Sequence, residues 1–391
     1  MRSTLIILMM LCALSGFSQE TYNDASHYAA YTEGEWETVL NYGKLAKKEK
    51  KDYFYLRVRN GYSNFMVKRY RMASKELSKA LKFNSADRFS KKFDYWSLMY
   101  SGEYDAARLM ASKFTQVEKD LIKVIKPKLL SAVSLIGGYK ISTLPNTVSG
   151  MPYAQLNLSH EIGGRLRLDH AVSYLSVSRN DSAVWQIGYL AQVGIQATTT
   201  TTIRPFFLMQ YWELGSNWES GGYSVYDLGA GISVRQRIGN VDISVFGGYM
   251  ERTTEQLYQA GLTFSWFPLG NARLYIHTSN SIIGGDGTTV FSSRETIGGN
   301  LFKGLWLSST FVLDDELIPF EAGAVNFSNT SLDELQWKLT TTMSYLFNKS
   351  WSVSLNYTVE ARQYEPSDYG LSGLGGSYNY HGLFVGLTKK F

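Results

Sequence analysis

The sequence predicts an α + β protein in which an N-terminal helical segment is followed by a transmembrane antiparallel β-barrel. Between residues 22 and 126 apolar residues recur every three or four positions, which predicts helices. After Pro127 hydrophobicity alternates with a period of two, which predicts strands. Beyond Ser18 no apolar run is long enough for a membrane-spanning helix, so only a closed barrel would let the chain cross a membrane.

The N-terminal segment, residues 1–18, has the features of a secretory signal peptide. Arg2 precedes an apolar run from Leu5 to Leu14, and the small residues Gly16 and Ser18 follow. Cleavage after Ser18 would remove Cys12, the single cysteine, so we expect no disulfide and no cysteine metal site in the mature chain. The alternative is a lipoprotein modified at Cys12.

The helical segment, residues 22–126, is repetitive, because Trp36, Tyr70 and Tyr104 recur at equal intervals along the chain. Small residues share the same interval, and the pattern resembles the tetratricopeptide repeat. The resemblance implies two or three stacked helix pairs that bind an unknown periplasmic protein partner. An ordinary helical bundle is the alternative. The residues expected to form the partner-binding framework are Trp36, Tyr70, Ala73, Ala80, Tyr104 and Ala107.

The alternating segment, residues 128–391, contains runs of about 11 to 14 residues, which suit tilted membrane crossings better than soluble strands. Tight connections at 162–165, 238–241, 268–271 and 347–350 alternate with longer ones at 140–151, 215–222, 283–287 and 363–376. Outer-membrane barrels show this alternation of short periplasmic turns and longer outer loops. With 314–333 as one loop the count is 14 strands, and with 319–329 as a strand it is 16.

The last strand ends on an aromatic residue, Phe391, which shares one face with Leu383, Val385 and Leu387. This ending resembles the signal by which barrel-assembly machinery recognises its clients, so the resemblance implies that machinery as a partner. Lys389 departs from the pattern at a position that is usually apolar.

The layout of signal peptide, tetratricopeptide-like segment and C-terminal barrel resembles tetratricopeptide-repeat outer-membrane β-barrel proteins, including YaiO-like, exopolysaccharide-export and surface-lipoprotein-assembly barrels. The resemblance implies a barrel in outer-membrane lipid with a periplasmic N-terminal domain. It also implies a scaffold or channel in the export or assembly of an envelope polymer or surface protein. A nucleic-acid partner is not expected, since the basic residues of the second half are dispersed among acids.

One fragment suggests chemistry. The sequence HTSNS, with His277 and Ser279 on one face of a strand, is similar to the HxSNG motif of outer-membrane phospholipases. Ser281 replaces the glycine of that motif, and strand parity directs His277 and Ser279 into the lumen. We therefore predict a non-enzymatic protein with no catalytic residue, cofactor or metal, and keep a phospholipase as a minor alternative.

Strand parity also predicts a basic lumen, opposed by Glu161, Asp169, Asp242 and Glu360. Such an excess could guide an anionic polymer or solute through a pore, or the charges could pair and fill the lumen. The second functional hypothesis is accordingly a diffusion pore whose helical arm is a plug or brace. The predicted lumen-lining bases are Arg165, Arg167, Arg235, Arg237, Arg273, Lys338 and Arg362.

Overall fold

The computed structural model describes residues 21–144, 150–179, 182–214, 223–252, 256–285, 288–313, 334–364 and 376–391. The predicted signal peptide, residues 1–18, and the possible additional strand, residues 319–329, lie outside them. The described chain forms seven helices and then 14 strands, which confirms the predicted fold class. The helices are α1 (Asp24–Glu33), α2 (Trp36–Lys48), α3 (Phe54–Met66), α4 (Tyr70–Phe83), α5 (Arg88–Tyr100), α6 (Tyr104–Ala111) and α7 (Gln116–Ile122).

Local sequence signals set the helix boundaries. The Asn23 side chain caps α1 by accepting a hydrogen bond from the Ser26 N–H, and Thr115 and Glu118 form a capping box at α7. The helices α2, α4 and α6 begin at equal intervals along the chain, at the interval of the sequence repeat. Two positions before each start, the backbone is left-handed at Gly34, Lys68 and Gly102, with φ of 78°, 64° and 85°. Among the described residues, no helix is long and apolar enough to span a membrane.

The chain divides into two compact units, the first extending through Ser97 and the second from Leu98. In the first unit, glycines allow neighbouring helices to pack closely. A Cβ atom on Gly61 of α3 would lie 2.6 Å from Leu77 Cγ of α4, and one on Gly43 of α2 would meet the Asn60 side chain of α3. Larger residues at these positions would force the helices apart.

The second unit contains a closed antiparallel barrel. Each strand pairs with the next along the chain, and β14 pairs with β1. The two strands that flank residues 314–333, β11 and β12, pair directly with each other. The strands are β1 (Leu130–Ser142), β2 (Met151–Ile162), β3 (Leu166–Arg179), β4 (Ser182–Gln196), β5 (Thr201–Leu214), β6 (Tyr223–Ile238), β7 (Val241–Glu251), β8 (Gln256–Trp266), β9 (Leu274–Gly285), β10 (Thr288–Phe302), β11 (Leu305–Leu313), β12 (Glu334–Leu346), β13 (Trp351–Tyr364) and β14 (Gly376–Lys390).

The four predicted tight connections are confirmed, and residues 197–200 and 303–304 form two more. These hairpins lie at the end where β1 begins and β14 ends, which we call the tight-turn end. The opposite end, called the long-connection end, carries the long connections 215–222, 314–333 and 365–375, which are outside the described residues. It also carries short ones at 180–181, 252–255 and 286–287, so the longer connection predicted at 283–287 is wrong, because β9 and β10 extend to Gly285 and Thr288. In outer-membrane barrels the short turns are periplasmic.

The two faces of the barrel differ as predicted. Apolar side chains on the outer face are exposed, for example Leu262 at 50% and Val385 at 52%, whereas inward-pointing polar residues such as Gln155 and Thr263 are buried. A largely apolar exterior is expected where the surrounding solvent is hydrocarbon. The lipid-facing belt formed in this way includes Leu135, Leu156, Val172, Ile187, Phe207, Ile232, Val245, Leu262, Ile276, Ile297, Leu307, Leu339, Leu355 and Leu383.

The last strand places its predicted assembly residues on this belt. Leu383, Val385 and Leu387 are about half exposed, and the Phe391 N–H donates to the Ser131 carbonyl at 3.0 Å. The Lys389 ammonium group lies 5.0 Å from the centre of the Phe391 ring and also contacts the Trp351 ring. Cation–π contacts of this kind explain how a lysine fits between aromatic residues at the edge of the barrel.

Candidate functional site

The inner face of the barrel is the candidate site. It is lined by amide side chains that are almost completely shielded, such as Gln186, Gln196 and Gln210. One apolar row interrupts them across five neighbouring strands. Leu190, Leu208, Gly229, Met250 and Leu257 occupy successive register positions on β4 to β8, and the leucine and methionine side chains belong to one cluster. The lumen therefore combines hydrogen-bonding side chains with one apolar row on β4 to β8.

At the tight-turn end, an acid from the helical part of the second unit neutralises the barrel wall. A Glu103 carboxylate oxygen accepts from Arg235 at 2.8 Å and lies 3.9 Å from Arg237, both on β6. Glu103 and Arg237 are buried, and Arg235 is 22% exposed and also 3.5 Å from Asp242. Burial strengthens such pairs and makes a missing partner costly.

The helix α6 makes a second set of contacts at the same end. Arg108 donates to Glu161 of β2 at 2.5 Å and also pairs with Asp105 in its own helix. A Cβ atom on Gly164, in the turn after β2, would lie only 2.8 Å from the Ser112 Cβ. Contacts to β2 and β6 together hold the segment from Glu103 to Ser112 against the tight-turn end.

A second charged cluster lies towards the long-connection end. Glu360 of β13 is 1% exposed and interacts with three bases: Lys140 at 2.6 Å, Arg362 at 3.3 Å and Lys338 at 3.6 Å. Three bases thus share one carboxylate within the described lumen. Counted over these four side chains alone, three positive charges face one negative charge.

The predicted lumen bases separate into two groups. Arg235, Arg237, Lys338 and Arg362 point inward beside the acids described above. Arg167 does so too, 3.0 Å from Asp169. The structure places Arg165 and Arg273 outside the strands, in the connections before β3 and β9. Sequence reasoning missed Glu103, Arg108 and Lys140, since the first two belong to the helical segment and the third was assigned to an outer loop.

Comparisons with known proteins find similarity by structure alone. No protein-family model matches the chain, and no curated protein matches it. The P. putida toluene transporter TodX is 10% identical with a TM-score of 0.45, over 72% of this chain and 94% of that chain. Omp33, an outer membrane protein of Acinetobacter baumannii, is 11% identical with a TM-score of 0.37, over 67% and 99%. A Pseudomonas aeruginosa FadL homologue is 8% identical with a TM-score of 0.41, over 72% and 93%.

The likeness is one of fold. At these identities and scores it says nothing about what the chain carries or binds.

In the first unit, most of the predicted framework residues are packed inside. Ala73 and Ala80 are fully buried, Trp36 packs edge-on against Tyr31 and Tyr62, and Tyr70 packs against Phe65. In the second unit, Ala107 is buried and Tyr104 is 46% exposed. The buried residues of this set hold helices together, and their part in binding a partner stays a prediction.

The first unit does have a groove that such a partner could occupy. Its volume is about 430 Å³. Tyr28 and Tyr55 are more than half exposed there, and the Arg59 guanidinium group lies 5.2 Å from the centre of the Tyr28 ring. The groove is lined by Tyr28, Tyr31, Phe54, Tyr55, Val58, Arg59, Asp87 and Phe89.

A polar network supports one side of this groove, and in it His27 and Arg59 are buried while Asp24 is exposed. Arg59 donates to Asp24 at 2.7 Å and lies 3.3 Å from His27 Nδ1. Burial and the positive Arg59 disfavour protonation of His27 and lower its pKa to about 4. Burial alone would raise the pKa of Asp24, but hydrogen bonds from Tyr53, Arg59 and Tyr22 outweigh it and lower that pKa to about 2. The network is therefore ionised at Asp24 and neutral at His27 near pH 7.

The fragment that resembles a phospholipase motif lies on β9. His277 Nδ1 is 2.8 Å from Ser265 Oγ, and Ser279 Oγ is 3.1 Å from Thr263 Oγ1, both partners being on β8. Ser281, on the same face, is buried and Ile282, on the other, is exposed, so His277 and Ser279 point into the lumen. A base and nucleophile for lipid hydrolysis would need access to lipid, which this orientation does not provide.

Proposed function

We propose that the chain is an outer-membrane pore for small polar solutes, with the segment from Glu103 to Ser112 as a plug at its periplasmic end. The observation that carries the proposal is the polar inner face of a closed 14-strand barrel whose outer face is an apolar belt. Barrels of eight strands are filled by their own side chains and those of 16 or more leave a channel, so 14 strands give room for a narrow path.

The plug is supported by the ion pairs at the tight-turn end. Glu103 approaches Arg235 and Arg237 of the barrel wall, and Arg108 reaches Glu161. An ionic contact can be broken and remade, unlike a hydrophobic core, because its partners regain solvation in water. The proposed pore is therefore closed or narrowed while α6 is docked and opens when these pairs separate.

The charge of the lumen supports a preference for anions. Glu360 faces Lys140, Lys338 and Arg362, so one negative charge meets three positive ones. A narrow low-dielectric passage focuses the field of such a cluster on the permeating ion.

Planar-bilayer recordings and liposome swelling test the pore. The full chain and a variant lacking residues 22–126 are reconstituted, and swelling is measured with neutral sugars of increasing size. We expect ohmic conductance, faster swelling without the helices, and a reversal potential in a salt gradient that indicates anion preference. If neither protein admits the smallest sugar or passes current while both are inserted as barrels, the pore is excluded.

A second function, recruitment of a periplasmic protein, is favoured by the groove of the first unit. The helices begin at the interval of the sequence repeat, as in a tetratricopeptide-like module. The groove has an aromatic lining that includes Tyr28, Tyr55 and Phe89, which suits the binding of a peptide segment. This function corresponds to a YaiO-like scaffold or channel in envelope export or assembly. Both functions can coexist in one chain.

Photo-crosslinking in intact cells tests recruitment. A crosslinking amino acid at Tyr55, which is 63% exposed in the groove, should capture one specific periplasmic protein. The control position is Phe83, which is 53% exposed and does not line the groove. Identical patterns from both positions, or no adduct from Tyr55, would exclude the groove as a docking site.

A further inference from the structure

A carboxylate stands in the middle of the lipid-facing belt. Glu295 lies halfway along β10 and is exposed, and it shares its face with Phe291 and Ile297, which are 59% and 55% exposed. The neighbouring residue Arg294 is 4% exposed and points inward, which fixes the outward direction of Glu295. Among the described residues, the other outward-facing carboxylates, Glu213 and Glu251, lie at strand ends.

Glu295 is the centre of a polar patch that crosses four strands. It is directly opposite Thr278 of β9, whose hydroxyl donates to it, and Ser293 is opposite Asn280. On β11 the residue directly opposite Glu295 is Phe311, and Ser309, two positions before Phe311, is opposite Ile297. Ser309 is in turn opposite Thr341 of β12, with their hydroxyl oxygens 3.1 Å apart. We call this set the β9–β12 patch, and its members are Thr278, Asn280, Ser293, Glu295, Ser309 and Thr341.

Lipid is a poor neighbour for this patch. Acyl chains form no hydrogen bonds, and a carboxylate at the middle of a membrane strand is unfavourable there. On the far side of the barrel, β4 presents Ile187, Tyr189, Ala191 and Val193 at comparable positions, as lipid requires. The β9–β12 patch is therefore built for contact with protein.

We infer that the β9–β12 patch is the surface on which a second copy of this chain docks, giving a two-fold dimer in the membrane. A two-fold interface must be complementary to itself. The patch meets that condition because it offers one strong acceptor, the Glu295 carboxylate, together with hydroxyl and amide donors. A two-fold axis along the membrane normal also brings residues of equal depth together, so mid-strand Glu295 meets mid-strand donors of its partner.

The size and charge of the residues favour a second copy over another partner. Ser, Thr and Asn are small, so the two barrel walls can approach closely, as small residues allow between membrane helices. A basic partner would need only one cation per chain and would leave five uncharged polar groups against it. Docking of identical patches satisfies donors and acceptors on both sides.

Cysteine crosslinking in the outer membrane tests the dimer. The only cysteine of the sequence, Cys12, lies in the predicted signal peptide, so an introduced thiol is unique in the mature chain. Ser293→Cys and Ser309→Cys should each give an adduct of twice the chain mass with a short bis-maleimide. Ala230→Cys, which faces outward on β6, is the matched control and should remain monomeric.

Glu295→Leu separates an interface from a lipid-exposed surface. At an interface it should reduce the dimer yield of the Ser293→Cys chain at least tenfold, whereas Glu251→Leu should leave the yield unchanged. If the patch faces lipid instead, Glu295→Leu should raise the melting temperature of the barrel and leave the yield of crosslinked dimer unchanged. Unchanged yield after Glu295→Leu, equal crosslinking from Ala230→Cys, or adducts only with other proteins would overturn the inference.

Discussion

The plug predicts that one uncharged substitution, Glu103→Gln, opens the pore. Glu103 is 7% exposed and Arg237 6%, so removing the carboxylate leaves two guanidinium groups with less compensation in a buried place. Breaking a buried pair costs about 3 to 5 kcal/mol, and the lower end applies here because Arg235 keeps Asp242 at 3.5 Å. About 3 kcal/mol corresponds to about a 100-fold change in the ratio of open to closed dwell times.

Single-channel recordings on the full chain measure that ratio. Glu37→Gln is the control. Glu37 also pairs its carboxylate with a guanidinium group, that of Arg69 at 3.0 Å, but the two side chains are exposed, Glu37 at 61% and Arg69 at 43%. An exposed pair contributes about 0 to 1 kcal/mol, so the control should change the ratio by less than about fivefold. Native dwell times in the Glu103→Gln channel would refute the idea that this carboxylate holds α6 in place.

Three further outcomes are expected. Because His27 has a folded pKa of about 4 against an ordinary value of 6.5, the unfolded chain takes up the proton first. The free energy of unfolding of the first unit should therefore be highest above pH 6.5 and fall by about 3 kcal/mol towards pH 4. Thermal melts followed at 222 nm measure this dependence on pH, and His27→Gln should flatten it. Gly61→Ala should lower the helix melting temperature by an overpacking cost of about 1 to 3 kcal/mol against Leu77, whereas Gly137→Ala, whose nearest atom is 3.9 Å away, should not. Deletion of Phe391 should reduce the amount of assembled, heat-modifiable barrel in the outer membrane several-fold, and equal assembly of the truncated chain would exclude the terminal aromatic as a signal.

Alternation of side chains predicted most of the barrel, because lipid and lumen impose opposite chemistry on successive residues. That logic placed Val385 outside and Glu360 inside correctly. It fails where the ladder is irregular. The register shifts between Leu335 and Trp337, so Leu335 is 5% exposed although simple parity would put it with outward Leu339. A single bulge reverses the face, and one sequence does not reveal where a bulge occurs.

The ion pairs of the candidate site were only half predictable. Strand parity gives the direction of Arg235 and Arg237, since both lie on a regular strand. Their partner Glu103 is 132 residues before Arg235 and precedes a helix, and nothing in its local sequence indicates contact with a barrel. Partners that meet through tertiary structure cannot be found from periodicity, which reports only the direction of each side chain relative to its own element.

Glu103, an acid from outside the strands, changes the charge expected along the lumen. Counted on strands alone, Arg235 and Arg237 suggest a passage that attracts anions at the tight-turn end. With Glu103 in place, the charges of Arg235 and Arg237 are compensated, and around Glu360 the structure adds Lys140, a base that the sequence had assigned to a loop. In the proposed pore, the bases around Glu360 stay in the lumen in both states, whereas Arg235 and Arg237 would attract anions only when α6 leaves. Release of the plug would therefore increase anion preference together with conductance, whereas a purely steric plug would increase conductance alone.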